Sequence, residues 1–237
     1  MRSEGLNRVV TVIVPAYNEE SRIVGTILAL KSIRYVKHIY VINDGSTDKT
    51  YDKICSIDGI NIINQSSNRG KGEALYRGLQ LALKDSDIIV FADADLEESA
   101  KDIEKLIVPI LKDETDVTIA KFPPARRKGG FGFVKGLAKK GVFINTGENI
   151  DTALSGQRAF KSEVLKQINH RYKGYGVELG MIIDILNKGY DVMEIDVNMY
   201  HNETGRDLAG FIHRGKQFWQ VLTVLISKTL FSKLKRR

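Results

Sequence analysis

Two aspartates, Asp93 and Asp95, stand one residue apart in the segment Val90-Phe-Ala-Asp-Ala-Asp-Leu-Glu-Glu-Ser99, directly after the apolar run Ile88 to Ala92. A buried strand that finishes in paired carboxylates needs partners for them, because isolated buried charge is costly. Two acids on one side of an extended turn form a cage for a hard divalent cation, and such a cation would hold phosphate oxygens behind it. Three further polar clusters have similar potential. Pro15-Ala-Tyr-Asn-Glu-Glu20 and Asn43-Asp-Gly-Ser-Thr-Asp48 each end an apolar run, and Asn68-Arg-Gly-Lys-Gly72 follows a third. Taken singly, each also has an ordinary structural role. Asn43–Asp48 reads as a turn with a helix N-cap, Asn68–Gly72 as a loop before a helix, and Asp93 with Asp95 as a cap of the next helix.

The elements that would position these clusters alternate along the first half. Val9–Ala16 is a β-branched run, the pattern of a strand buried on both faces. His38–Asn43, Asn61–Gln65, Asp87–Ala92 and Asp116–Phe122 read as further strands. Between them, Ser21–Ser32, Asp48–Ser56, Gly72–Leu83 and a segment from Ser99 to about Lys112 read as helices, the last with Ser99 as N-cap. Strands separated by helices imply right-handed crossovers and an α/β fold with a mostly parallel central sheet flanked by helices. Parallel topology brings all four clusters to one rim, beyond the carboxyl ends of the strands, where ligands bind in such sheets. The second half is less regular. Pro123–Gly136 reads as a loop, Ser155–Phe160 as a short strand, Val177–Asn187 as a helix and Tyr190–Tyr200 as a strand. A long amphipathic helix is expected over 207–237, ending in the basic tip Lys233-Leu-Lys-Arg-Arg237.

The length of 237 residues suits one large α/β domain or two small ones. We read a single domain, with a nucleotide-binding half over about 9–122, an acceptor half over about 123–206 and the C-terminal helix. A single cysteine, Cys55, excludes an internal disulfide and fits a reducing, cytoplasmic compartment. The apolar stretch near the N-terminus lacks a signal-peptide pattern and is read as the first strand. No apolar run reaches the roughly 18 residues of a membrane-spanning helix. A net charge of +7 favours an anionic partner.

Two common nucleotide cradles do not fit. A dinucleotide fold needs G-x-G-x-x-G after the first strand, where this chain has Pro15–Glu20; a P-loop needs G-x-x-x-x-G-K-[ST], and Gly70-Lys71 is followed by Gly72. A metal bridging two phosphates to the Asp93/Asp95 turn would supply the missing positive charge.

The ordered series Val14-Pro-Ala-Tyr-Asn-Glu-Glu20, Asn43-Asp-Gly-Ser-Thr-Asp48, Gly70-Lys-Gly-Glu-Ala-Leu75 and Asp93-Ala-Asp95 resembles that of nucleotide-sugar-dependent glycosyltransferases with the GT-A fold, family 2 in particular. The resemblance covers roughly residues 9–201. Within that group, Gly70–Arg77, Leu154-Ser-Gly156, Gly174–Gly180 and His201-Asn202 are most similar to glucosyl-3-phosphoglycerate synthases. Polyprenyl-phosphate sugar transferases share the early motifs and match the later ones less well.

The resemblance implies a Rossmann-like GT-A domain, a UDP-sugar donor, UDP-glucose first, and Mn2+ or Mg2+. It implies that Pro15, Ala16, Tyr17 and Glu19 line the base and ribose pocket, and that Asp44 and Ser46 hold the nucleoside. Lys71 would reach the diphosphate, with Asp93 near ribose or metal. Asp95 and His201 would ligate the metal, though a strand-end surface histidine is the plain alternative for His201. Glu178 and Asp95 are the implied catalytic acids. Glu178 would deprotonate the acceptor hydroxyl in an inverting enzyme and position it in a retaining one; otherwise it merely complements a helix N-terminus. Ser155, Gly156, Tyr175, Arg126 and Arg206 are the candidate acceptor residues. Here the chain departs from its likenesses, which carry a Gly-Thr-Gly-Gly type loop where this chain reads Arg126-Arg-Lys-Gly-Gly-Phe-Gly-Phe133.

The expected partners are a nucleotide sugar and an anionic acceptor, either a small molecule such as 3-phosphoglycerate or a lipid-linked one. Two other classes compete. Sugar-phosphate nucleotidyltransferases carry a glycine-rich signature after the first strand that is missing here. A basic nucleic-acid-binding module would interleave cations with aromatics on one face, whereas the cations here are dispersed and the rim is acidic, so no nucleic acid is expected. The last helix has three available fates: burial on the catalytic domain, pairing in a homodimer, or weak peripheral contact with the inner face of a membrane.

Overall fold

The computed structural model describes residues 8–123, 133–169, 176–200, 219 and 221–228. Strand β1 (Val10–Ala16) is buried along its length except at Pro15, which is half-buried. Val10, Val12, Val14 and Ala16 join one hydrophobic layer and Ile13 the other, as the two-residue period of a strand requires. β2 (Val36–Asn43) and β4 (Ile88–Phe91) flank β1 in parallel, and β3 (Asn61–Asn64) extends the sheet beyond β2. With β5 (Val117–Lys121), β6 (Arg158–Lys161) and β7 (Val192–Asp196) the order is β3-β2-β1-β4-β6-β5-β7.

Helices α1 (Ile23–Lys31), α2 (Thr50–Cys55) and α4 (Ile103–Leu111) cover one face. Helices α3 (Lys71–Asp85), α5 (Phe133–Thr146), α6 (Ser162–Lys166) and α7 (Gly176–Asn187) cover the other. At Gly78 of α3, a Cβ would lie 2.5 Å from Ile13 Cγ2, so glycine lets the helix sit directly on the sheet. The mostly parallel α/β architecture expected from the alternating pattern is therefore present.

Several elements differ from their sequence reading. The short strand expected over Ser155–Phe160 is β6, and it runs antiparallel to both β4 and β5. Its register pairs Arg158 with Phe91, the last residue of β4. The reversed strand thus delivers its N-terminal end to the rim where the parallel strands deliver their C-terminal ends. The helix expected from Ser99 is split into a 3-10 turn, Glu97–Asp102, and α4. Ser99 does not cap it: inside the tighter turn its hydroxyl donates to Leu96 O at 2.5 Å. Phe133–Gly136, expected in a loop, opens α5, whose buried residues Ala138, Gly141, Val142 and Asn145 have helical spacing despite the glycine-rich lead-in. The strand expected over Tyr190–Tyr200 is confined to Val192–Asp196.

Of the C-terminal helix, 219 and 221–228 are helical and the rest of 207–237 lies outside the described residues. Segment 221–228 packs on α5, where Leu225 occupies the space a Gly141 side chain would need. Among the described residues no helix is long and apolar enough to cross a membrane.

Candidate active site

The loops after β1 and β2 are laced together. Asn18 sits at a φ of 55°, its amide donates to Ser46 Oγ at 3.0 Å, and its side-chain oxygen accepts from Thr47 N at 2.8 Å. Glu19 N donates to Thr50 Oγ1 at 2.7 Å, and Lys49 N donates to Glu20 Oε2 at 2.8 Å. Asp48 Oδ1 accepts from Thr50 N at 2.9 Å, an Asx-type turn that leads into α2; the N-cap position itself falls on Lys49, which makes no side-chain cap bond, so the turn readable at Asn43–Asp48 is present and the cap is not. Tyr17 is exposed at the tip of the first loop, and Ala16 is buried with its carbonyl accepting from Asp44 N. Ser46 lines a cleft of about 310 Å3 together with Asn43, Tyr51, Asn64 and Gln65.

Asp44 is only 3% exposed. Its Oδ1 accepts from Gln65 Nε2 at 2.9 Å and Arg69 N at 2.8 Å, and its Oδ2 accepts from Gly70 N at 2.8 Å. The carboxylate assigned to the nucleoside thus organises the turn into α3, where Gly70 takes a φ of 92° that glycine tolerates freely. That turn delivers Lys71 as the first residue of the helix.

Lys71 does not point into open solvent. Its ammonium lies 2.7 Å from Asp93 Oδ1 and 3.2 Å from Glu178 Oε1. Burial works against the ammonium, yet Asp93 and Glu178 outweigh it and hold the Lys71 pKa above its ordinary value. Both carboxylates come from strand or helix ends: Asp93 follows β4, and Glu178, 8% exposed, lies in the first turn of α7. Asp93 Oδ2 also accepts from Gln157 Nε2 at 2.6 Å. Gly156 completes the wall, since a Cβ there would lie 2.5 Å from Lys71 Nζ and 3.1 Å from Asp93 Oδ2.

Asp95 is half-buried, and its charge reaches the neighbouring loop. Burial pushes the Glu19 carboxyl up; the bond from Arg22, at 2.6 Å, opposes this, and Asp95 and Asp48 add to the rise. The rim is therefore crowded with carboxylates. Among the described residues, no three His, Cys, Asp or Glu side chains converge as a metal cluster. Asp95 supplies a hard oxygen donor at this strand end, a chemistry that fits Mg2+ or Mn2+, beside Asp93, whose two oxygens meet Lys71 and Gln157. The remaining expected ligand, His201, and the acceptor candidates Arg126, Tyr175 and Arg206 lie outside the described residues.

Several residues here were not singled out in the sequence. Gln157 and Arg158 follow the Leu154-Ser-Gly156 motif, and their direction into the rim depends on the reversal of β6. Arg158 donates to the main-chain oxygens of Ala153, Ser155 and Glu178. Glu194 of β7 accepts from Thr152 N at 2.6 Å and Thr152 Oγ1 at 2.5 Å. The signal available for Arg158 was weak, since its four-residue strand, Arg158-Ala-Phe-Lys161, carries a charge at each end.

A family model described as glycosyl transferase family 2 matches residues 11–168. An uncharacterized protein of Methanocaldococcus jannaschii is 32% identical over 93% of this chain and 92% of its own. The UDP-N-acetylglucosamine–dolichyl-phosphate N-acetylglucosaminyltransferase of Methanococcus voltae is 25% identical over 94% of this chain and 99% of its own. A crystal structure of glucosyl-3-phosphoglycerate synthase from Mycobacterium tuberculosis with Mn2+, UDP-glucose and phosphoglyceric acid superposes with a TM-score of 0.77, at 26% identity, covering 94% of this chain and 80% of that one. Another structure of that synthase holds Mg2+ and UDP. With a parallel-strand rim that joins Asp93, Lys71 and Glu178, and a family match over most of its length, the chain belongs to glycosyl transferase family 2.

Proposed function

We propose that this glycosyltransferase moves a sugar from a UDP-sugar, UDP-glucose first, to an anionic acceptor of the 3-phosphoglycerate type. The observation that carries the reading is the Lys71–Asp93–Glu178 cluster closed by Gly156 at the rim. An ammonium in the first turn of a helix is a favourable neighbour for phosphate, because helix N-terminus and side chain act together. The likeness to the synthase bound to UDP-glucose and phosphoglyceric acid supports donor and acceptor.

Asp95 and His201 would hold Mn2+ or Mg2+, with Asp93, whose oxygens meet Lys71 and Gln157, beside the ribose or the metal. The cation would neutralise the diphosphate as it leaves. Pro15, Ala16, Tyr17, Glu19, Asp44 and Ser46 would form the nucleoside side, Asp44 by fixing the Arg69–Gly70 turn. Glu178 would meet the acceptor hydroxyl, as general base in an inverting reaction or as a positioning group in a retaining one. Ser155, Gly156, Tyr175, Arg126 and Arg206 would hold the acceptor.

A lipid-linked acceptor is a second reading, supported by the near full-length match to the dolichyl-phosphate enzyme. The test is a donor-hydrolysis screen over nucleotide sugars with Mn2+, followed by mass spectrometry of products with 3-phosphoglycerate and with a polyprenyl phosphate. Turnover of UDP-glucose and a glucosylated phosphoglycerate are expected. Exclusive transfer to the polyprenyl phosphate would select the second reading, and no turnover of any nucleotide sugar would overturn both.

A further inference from the structure

We propose that Arg158 is a positioning residue for transfer, which holds Glu178 in register with the Ala153–Gly156 loop. Its activity readouts rest on the function proposed above. Arg158 is 1% exposed, and among the described residues its three hydrogen bonds go to main-chain oxygens. Nε donates to Ser155 O at 2.8 Å, one terminal nitrogen donates to Glu178 O at 2.8 Å and the other to Ala153 O at 2.6 Å. Among the described residues no carboxylate forms an ion pair with it. Burial pulls the guanidinium down to about 10, against the nearby Glu178 charge, which leaves it charged at neutral pH.

A charge buried in this way is expensive, and an apolar side chain of similar volume would fill the space at less cost. What an apolar side chain cannot do is join carbonyls from two segments more than twenty residues apart. The planar fork of arginine can. One segment carries Ser155 and Gly156, the latter against Lys71 and Asp93; the other carries the Glu178 carboxylate, 3.2 Å from Lys71. The β6 ladder fixes Arg158 between Phe91 and Ile119. Arg158 therefore ties the spacing of carboxylate, ammonium and loop to the sheet itself. Lysine would keep the charge but lacks the fork.

The experiment compares Arg158→Lys and Arg158→Met with the unaltered chain. Amide exchange over 152–156 and 176–182 should rise about tenfold in both variants, with other segments unchanged. UDP affinity by calorimetry should stay within about twofold, whereas kcat should fall about 10²-fold, the scale of an ångström misplacement. Unchanged exchange in both segments, or full kcat in a folded Arg158→Met, would overturn the proposal. So would kcat, UDP affinity and melting temperature falling in step. If neither variant folds, native-state exchange of the unaltered chain decides: one shared opening for the two segments supports the link, and independent opening overturns it. Absence of UDP affinity in the unaltered chain would count against the proposed function, and the exchange result would still judge Arg158.

Discussion

Lys71 illustrates how much a single residue can carry. The family resemblance implies a point charge for the diphosphate; the structure adds that Asp93 and Glu178 both pair with it. Its raised pKa sets the sign of any pH effect. A lysine with a raised pKa contributes stability that is fully present below its unfolded value, about 10.4, and is lost as pH rises through the folded value. The pairing therefore persists across neutral pH. Lys71→Met should weaken UDP binding by about 1.5–3 kcal/mol, the scale of a hydrogen bond to a charged group, as read by calorimetry. Unchanged affinity would return Lys71 to a purely structural ion pair. At Asp95 the expectation is different. EDTA should abolish transfer and Mn2+ or Mg2+ restore it, whereas Asp95→Ala should lose most activity at any metal concentration and retain its melting temperature. Full activity in EDTA would remove the metal role from Asp93, Asp95 and His201 together. Glu178→Gln bears on stereochemistry: in an inverting enzyme kcat should drop about 10²–10⁴-fold with UDP binding intact. The anomeric signal of the product by NMR identifies which case applies.

Among the elements, those with strong periodicity were readable and those defined by partners were not. β1 is legible because only a strand covered on both faces is so continuously β-branched, and α3 because Ala74, Leu75, Leu79 and Ala82 keep one face buried. The four rim clusters were legible for the same reason, since parallel topology follows from alternation. The direction of β6 was not, because four residues carry no sign of which neighbour they pair with or in which sense. Gln157 and Arg158 were hidden with it. The lacing of the β1 and β2 loops was equally invisible, being a matter of contacts between segments almost thirty residues apart. It can be tested at Asp48. Burial acts to raise this carboxyl, but hydrogen bonds from Thr50 and Glu20 hold it below its ordinary value. An acid with a depressed pKa contributes stability above its unfolded value that is lost as pH falls. Asp48→Ala should therefore cost on the order of 1 kcal/mol at pH 7, the usual net worth of a hydrogen bond, and less in acid. Denaturant unfolding at pH 7 and pH 3 measures both; an equal loss at the two values would show that the carboxylate charge is irrelevant to the lacing.

At the scale of the whole molecule, the question is how a chain with a net charge of +7 meets its acceptor. The rim itself is rich in carboxylates, so the positive excess lies elsewhere, and four cations are concentrated in Lys233-Leu-Lys-Arg-Arg237. The neighbouring helical segment 221–228 buries Val221 and Leu225 and leaves Ile226 exposed, with Trp219 also exposed before it. Burial of one face against α5 realises the first of the three fates read for this helix, over those residues. A basic tip attracts an anionic bilayer by about 1 kcal/mol per charge near the surface, and the attraction falls off within a Debye length. The enzyme should therefore bind anionic liposomes weakly, release them as salt rises, and ignore neutral ones. Deleting 233–237 should abolish binding and leave the melting temperature unchanged. Co-sedimentation with the two vesicle types at low and high salt reads each of these outcomes. Equal binding to neutral vesicles would mean that Trp219 and Ile226 insert into the bilayer and that charge is secondary. No binding at low salt would make the tip a solvated tail and leave a small soluble anion as the acceptor that suits the site.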